Sequence, residues 1–327
     1  MFRGILVALT ASCLALAAAA PARAQAAPAS PSPRPRQSLS DAWWTGPLLA
    51  PSAGTLPRGH ILAEPYLYDV MQYGRYDASG ALKATPHGNS FGSLTYLIYG
   101  LADRFSVGLI PTFGYTSVAG GPNSNGIGLG DTSVLAQYRL SQFQVGRFVP
   151  TTSLSVQETF PTGRYDRLGV NPNNGFGGGV YSTKLSLYTQ SYAWMPNGRI
   201  LRLRLNFSQT FSGSARVNDA SVFGTQTGFH GTASPGGTFT IDGAGEYSIT
   251  RSWVFASDLV YQYTGNTDLS GPHGVTNFGD AHAFIVAPAM EYNWTANSGL
   301  IAGVRWFPAG RNTGASLTPV VALNMVR

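Results

Sequence analysis

Cysteine is all but missing from this chain: the one at position 13 lies in an N-terminal apolar stretch, and no other occurs in 327 residues. If that stretch is removed, the mature protein has no disulfide, no thiolate metal site and no cysteine nucleophile. Long apolar runs are missing too. Beyond residue 25 none reaches the ~18 residues of a membrane-spanning helix, so any spanning is expected to be by strands. Charge is scarce, with 11% of residues charged, while aromatic residues make up 12% and argue against a disordered chain. Basic residues number 21 and acidic ones 15. The surplus is spread out rather than clustered, and nucleic-acid binding is not suggested.

The N-terminus reads as an export signal. Arg3 supplies its positive start, Ile5 to Ala20 its apolar run, and Ala22-Arg23-Ala24 a cleavage site before Gln25. The signal is assigned to residues 1–24. Residues 25–59 form a Pro-rich lead, expected in the periplasm, with a Trp43-Trp44 pair. Those tryptophans would anchor at the membrane–water interface or tuck into a lumen as a small plug, and interface anchoring is the expectation taken here.

What the chain has in quantity is strict alternation. In Leu201-Arg202-Leu203-Arg204-Leu205-Asn206-Phe207-Ser208 every odd position is apolar and every even one polar. A strand with that pattern shows one greasy and one charged face. Twelve such segments lie near residues 60–70, 89–99, 105–115, 130–140, 149–160, 180–193, 200–211, 238–248, 253–264, 281–292, 298–307 and 315–326. Short turns alternate with long Gly/Asn/Ser-rich connections at 71–88, 116–129, 161–179, 212–237 and 265–280. The fold class expected is an all-β, transmembrane, antiparallel up-and-down barrel of about twelve strands over residues 60–327, in the outer membrane of a Gram-negative cell.

If alternation holds, leucines such as Leu203 and Leu205 face lipid and charges face the lumen, because a mid-depth charge in hydrocarbon costs roughly 2–4 kcal/mol. The residues expected to line the lumen are Asp131, Arg139, Lys184, Arg202, Arg204, Asp242, Glu246 and Arg305. They either pair across the interior as a polar core or line a route for solute. Glu158 breaks the pattern by sharing phase with Leu154 and Val156. It sits above the hydrocarbon near Pro161, or a bulge flips its phase.

Motifs for chemistry are sparse. The five histidines (His60, His87, His230, His273, His282) make no metal-ligand spacing, and no catalytic, metal or cofactor site is expected. Gly126 to Gly130 is Gly-rich but precedes a strand, so it lacks the context of a nucleotide loop. An outer-membrane hydrolase would need a Ser–His pair, for which His87 with Ser90 and His282 with Ser257 are the nearest candidates. Gly130-Asp131 and Gly279-Asp280 recur where long connections re-enter strands, where the aspartate can cap free amides.

The stretches Gly130-Asp131-Thr132 with Ala136-Gln137-Tyr138-Arg139-Leu140, Tyr99-Gly100-Leu101-Ala102-Asp103-Arg104-Phe105-Ser106-Val107-Gly108 and Phe160-Pro161-Thr162-Gly163-Arg164-Tyr165 give residues 60–327 a resemblance to a known family. The chain resembles the outer-membrane transporter-like family labelled "MetA-pathway of phenol degradation". The resemblance implies a barrel that moves small, often aromatic or hydrophobic, compounds. Where outer-membrane barrels usually end on an aromatic residue, this chain ends Met325-Val326-Arg327. The expected function is passive diffusion of a small solute, with membrane lipid, the solute and the barrel-assembly machinery as partners. The alternative is a non-conducting barrel that is structural or binds a partner. Eight strands leave an interior filled by side chains and sixteen an open channel. Twelve should give a narrow lumen, obstructed by its own charges and by residues of the lead.

Overall fold

The computed structural model describes residues 35–327; the expected signal and the first part of the lead fall outside them. The strands are β1 (Ile61–Tyr76), β2 (Leu82–Ala102), β3 (Phe105–Ile110), β4 (Thr112–Val118), β5 (Gly128–Leu129), β6 (Thr132–Ser141), β7 (Thr151–Phe160), β8 (Ser182–Trp194) and β9 (Ile200–Ser212). They continue with β10 (Ala215–Asn218), β11 (His230–Ser234), β12 (Thr238–Ser248), β13 (Trp253–Thr264), β14 (Asp268–Gly271), β15 (Gly274–Asn277), β16 (Ala281–Thr295), β17 (Ser298–Arg311) and β18 (Thr313–Val326). Among the described residues no helix is long and apolar enough to cross a membrane.

β3 and β4 make one stave interrupted at Pro111, and β5 and β6 another interrupted at Gly130-Asp131. Counted so, twelve antiparallel staves follow one another, and β1 pairs with β18 on one side and β2 on the other. The sheet therefore closes on itself and has no free edge over most of its height. The barrel expected from alternation is the barrel observed. Register within it is direct: Glu246 lies opposite Arg202, Tyr66 opposite Ala322, and Arg305 opposite Thr318.

Three connections differ from expectation. The expected loop 71–88 is mostly strand, because β1 runs to Tyr76 and β2 starts at Leu82. Asp77 closes the short turn between them, its Oδ1 accepting from the amides of Ser79 (2.9 Å) and Ala81 (3.0 Å). Residues 82–88 do not alternate, so pairing with β1 imposes strand there despite Pro86. The connections 212–237 and 265–280 are also partly ordered. They contribute β10, β11, β14 and β15 to a separate four-stranded sheet at the long-loop end.

The faces sort by polarity. Leu203 and Leu205 are both 44% exposed on the outside, while Arg202 and Arg204 between them fall to 7% and 6%. Phe255, Leu259, Phe284, Leu317, Val321 and Leu323 join the outer belt. Aromatic pairs such as Trp253–Tyr292 and Phe160–Tyr181 mark its two rims, as interface girdles do. Glu158 stays on this outer face. Its pairing with Thr183 is regular, which removes the bulge explanation, and the Thr183 hydroxyl donates to its carboxylate at 2.6 Å.

Candidate functional site: a lumen with a seated segment

The lumen is built from the inward phase of the staves, and its short-turn half is filled by the chain itself. Residues 35–60 run along it as a loop. Gln37 and Trp43 donate backbone hydrogen bonds to Gly198 and Arg251 in short turns, and Gly59 returns to bond with Gly100. Between these points the segment climbs to Leu48 and Leu49. Leu48 is buried with Tyr66, Ala287, Ala289, Ile301 and Ala322, and Leu49 packs on Val260, Ala283 and Ile285.

Many of its peptide groups meet a lumen side chain. Glu291 accepts from the Thr45 amide at 2.6 Å and Asp258 from the Ala50 amide at 3.0 Å. Arg204 and Asn206 donate to the carbonyls of Ala50 (2.7 Å) and Pro51 (2.9 Å). Gln137 donates to Ser52 (3.0 Å) and Gly54 (3.2 Å), and the Ser153 hydroxyl to Ala53. An irregular segment has no ladder of its own, so burial is tolerable only where side chains meet its backbone groups. Two glycines permit the close fit. Gly46 has φ +124°, and a Cβ there would lie 3.3 Å from the Arg204 guanidinium; at Gly100 a Cβ would collide with the Pro57 carbonyl.

Trp43 and Trp44 accordingly depart from the interface-anchoring expectation. Arg202 lies 4.5 Å from the ring centre of Trp44, and Arg251 lies 4.6 Å from that of Trp43. The buried Arg202 holds the Trp44 ring inside the lumen, and the exposed Arg251 of a short turn covers the Trp43 ring at its mouth.

The eight residues expected in the lumen are placed as follows. Arg202 and Arg204 both engage Glu246, with Nε–Oε2 distances of 2.6 and 3.0 Å, and the fully buried carboxylate sits between them. Asp242 is buried nearby, its Oδ1 without a partner, and one oxygen each of Asp258 and Glu291 is likewise unpartnered. Arg139 lies opposite Ser153, and Lys184 opposite Gln157 and Thr210; neither forms an ion pair among the described residues. Arg305 lies on the inward face of β17 between Ile301 and Phe307, its guanidinium 5.2 Å from the Phe307 ring centre. Asp131 accepts from the amides of Gly163 (3.0 Å) and Gly178 (2.7 Å), tying the connection 161–179 to the wall.

The second Gly-Asp repeat is also a tether. Asp280 bonds His282 and Arg311, and its carbonyl accepts from Asn312 at 2.8 Å. Desolvation alone would raise the Asp280 carboxyl, but hydrogen bonds from His282 and Arg311 and the Arg311 charge hold it below its ordinary value. His282 is thereby committed to Asp280, Arg311 and Tyr261, while Ser257 lies opposite Pro288, six residues away along β16. Ser90 meets Thr116 rather than His87. Neither candidate Ser–His pair forms among the described residues.

Gln137, Asp258 and Glu291, on the inward phase that alternation predicts, belong to the site too, as do Ser153 and Asn206, which were not singled out. Their signal is the same inward phase that marked Arg202 and Arg204.

These features define the class: a closed twelve-stranded barrel of the outer-membrane type, with an internal segment seated in its lumen. No protein-family model matches the chain, and no curated protein matches it by sequence. Among solved structures it is similar to the COG4313 outer membrane channel from Pseudomonas putida F1, at 15% identity and a TM-score of 0.66, covering 84% of this chain and 98% of that one. The Pseudomonas putida toluene transporter TodX matches at 11% identity and a TM-score of 0.42, covering 87% and 95%. The first likeness supports the fold.

Proposed function

We propose that the protein is an outer-membrane channel for passive diffusion of a small solute of aromatic or hydrophobic character, exported by its signal and inserted by the barrel-assembly machinery. The observation that carries this reading is the incomplete pairing of the lumen. Arg202 and Arg204 share the one carboxylate of Glu246, and among the described residues Arg139, Lys184, Asp242 and Arg305 enter no ion pair. A purely structural polar core would close its charges on one another, since a buried unpaired charge is costly. On this reading a concentration gradient drives flux. The seated segment supports a closed or narrow lumen until it is displaced.

Planar-bilayer recording of the mature chain and of a chain starting at residue 60 tests this. The full chain should show small conductance and the shortened one several-fold more. Silence from both, with folding verified, would favour a non-conducting barrel, to which the seated segment and the external four-stranded sheet also fit.

A further inference from the structure

The inner face of β1, β18 and β17 is a ladder whose rows follow from register. Tyr66, Ala322 and Ile301 lie lowest, against Leu48 of the seated segment. Tyr68, Val320 and Gly303 make the next row, and Thr318 with Arg305 the one above it. Phe307 follows on the same side of β17 and packs with Leu49 on Val260, Ala283 and Ile285. The segment thus brings Leu48 against the Ile301 row and Leu49 to the cluster that Phe307 joins, and the polar row of Arg305 and Thr318 lies between the two.

Those polar groups are unemployed. The Nε of Arg305 is shielded from solvent and has no hydrogen-bond partner, and the hydroxyl of Thr318, directly across the strand pair, is in the same condition. Thr318 is 1% exposed. Arg305 enters no ion pair among the described residues. The inward carboxylate of β1, Glu64, is six residues below this level, roughly 20 Å along a strand, and Asn324 donates to it at 3.1 Å. The inward carboxylate of β16, Glu291, lies opposite Ile301, four residues below Arg305 on β17. Orphaned buried donors are uncommon and need an explanation.

We infer that Arg305 and Thr318 form the anion-binding end of a lumen site for a carboxylate-bearing amphiphile, whose apolar body lies on Phe307, Tyr68 and Leu49. A guanidinium matches a carboxylate by paired N–H donors, and the Thr318 hydroxyl adds a third. One cation suits a monoanion. A phosphate dianion would leave charge uncompensated. The aromatic and aliphatic surroundings select a ligand with a hydrocarbon part, as ligand sites generally combine an apolar lining with a few placed polar groups. This inference rests on the channel reading and names the solute class for it.

Calorimetric titration of the purified full mature chain with 4-butylbenzoate and with its neutral analogue 4-butylbenzamide tests the assignment. The carboxylate should bind at least tenfold more tightly than the amide. Arg305→Gln should remove that preference, Arg305→Lys should keep part of it, and Thr318→Val should weaken the carboxylate a few-fold. Heat-modifiable gel migration verifies that each variant is a folded barrel. Equal binding of acid and amide, no binding of either, or an unchanged preference in Arg305→Gln overturns the assignment. Conductance of the same preparations judges the channel reading separately, since a pore can conduct with no such preference.

Discussion

The two halves of the lumen obey one rule and end differently. In both, alternation turns polar side chains inward. In the short-turn half, Gln137, Ser153, Arg204, Asn206, Asp258 and Glu291 find backbone groups of residues 45–54 as partners. In the other half, Arg305 and Thr318 find none. The staves are alike, so the difference comes from which side chains the segment's peptide groups reach. Where they reach, the lumen is a seat; at Arg305 and Thr318 neither orphaned group is met by the segment.

The largest expected effect comes from the seat's ionic centre. Glu246→Ala leaves Arg202 and Arg204 as buried, uncompensated cations, and loss of one partner of a buried pair costs about 3–5 kcal/mol. Urea unfolding of the barrel in lipid should show a loss of that size, while Arg305→Gln, which strips no partner, should change the same measurement little. If Glu246→Ala were as stable as wild type, the seat would not be the tightly paired region described.

Next comes the contrast between wall faces. Leu203→Arg places a charge in the apolar belt and should destabilise by about 2–4 kcal/mol. Asn206→Arg adds the same charge on the inward face of the same strand. It should cost less in global stability and act on the seated segment, raising conductance. Equal losses would blur the assignment of faces.

A smaller effect is expected at Asp258, which holds the Ala50 amide. Asp258→Ala removes one hydrogen bond to the segment, about 1–3 kcal/mol when a buried donor is left unpaired. Each 1.4 kcal/mol is a tenfold change in an equilibrium, so unseating should become several-fold to about a hundredfold more frequent. Rising open events in single-channel traces would register it.

The smallest lies at the long-loop rim. Asp280 is held below its ordinary value, so its contribution is present above that value and lost as pH falls through the lowered folded one. Loop protection from proteolysis should therefore persist at neutral pH and fade only in acid below the usual carboxylate range, and Asp280→Asn should remove that acid step without affecting the seat.

Much of the fold was legible because a strand's period of two is written locally. Leu201 to Ser208 declares both faces of β9 without reference to the rest of the chain. The seated segment was not legible in this way. Thr45 meets Glu291 and Ala50 meets Asp258 across more than 200 residues, through peptide groups that carry no side-chain signal. Trp43 and Trp44 were misplaced for the same reason: amphipathic rings suit a membrane interface and a cationic lumen mouth equally, and only Arg202 and Arg251 decide. The hairpin at Asp77 was hidden because residues 82–88 take strand form from their partner. Asp131 carried a visible Gly-Asp signature, but its role depends on two glycine amides about thirty and fifty residues away.

The most direct measurement is a cysteine-pair crosslink, made simple because the mature chain is expected to have no cysteine of its own. Ala53→Cys with Ser153→Cys joins the segment to the inner wall, where Ser153 now meets the Ala53 carbonyl; Ala53→Cys with Leu154→Cys tries the adjacent residue, whose side chain faces outward. A seated segment gives near-complete oxidation of the first pair, none of the second, and conductance that rises on reduction of the first. Failure of the first pair, or crosslinking of the second, would contradict a segment held within the lumen.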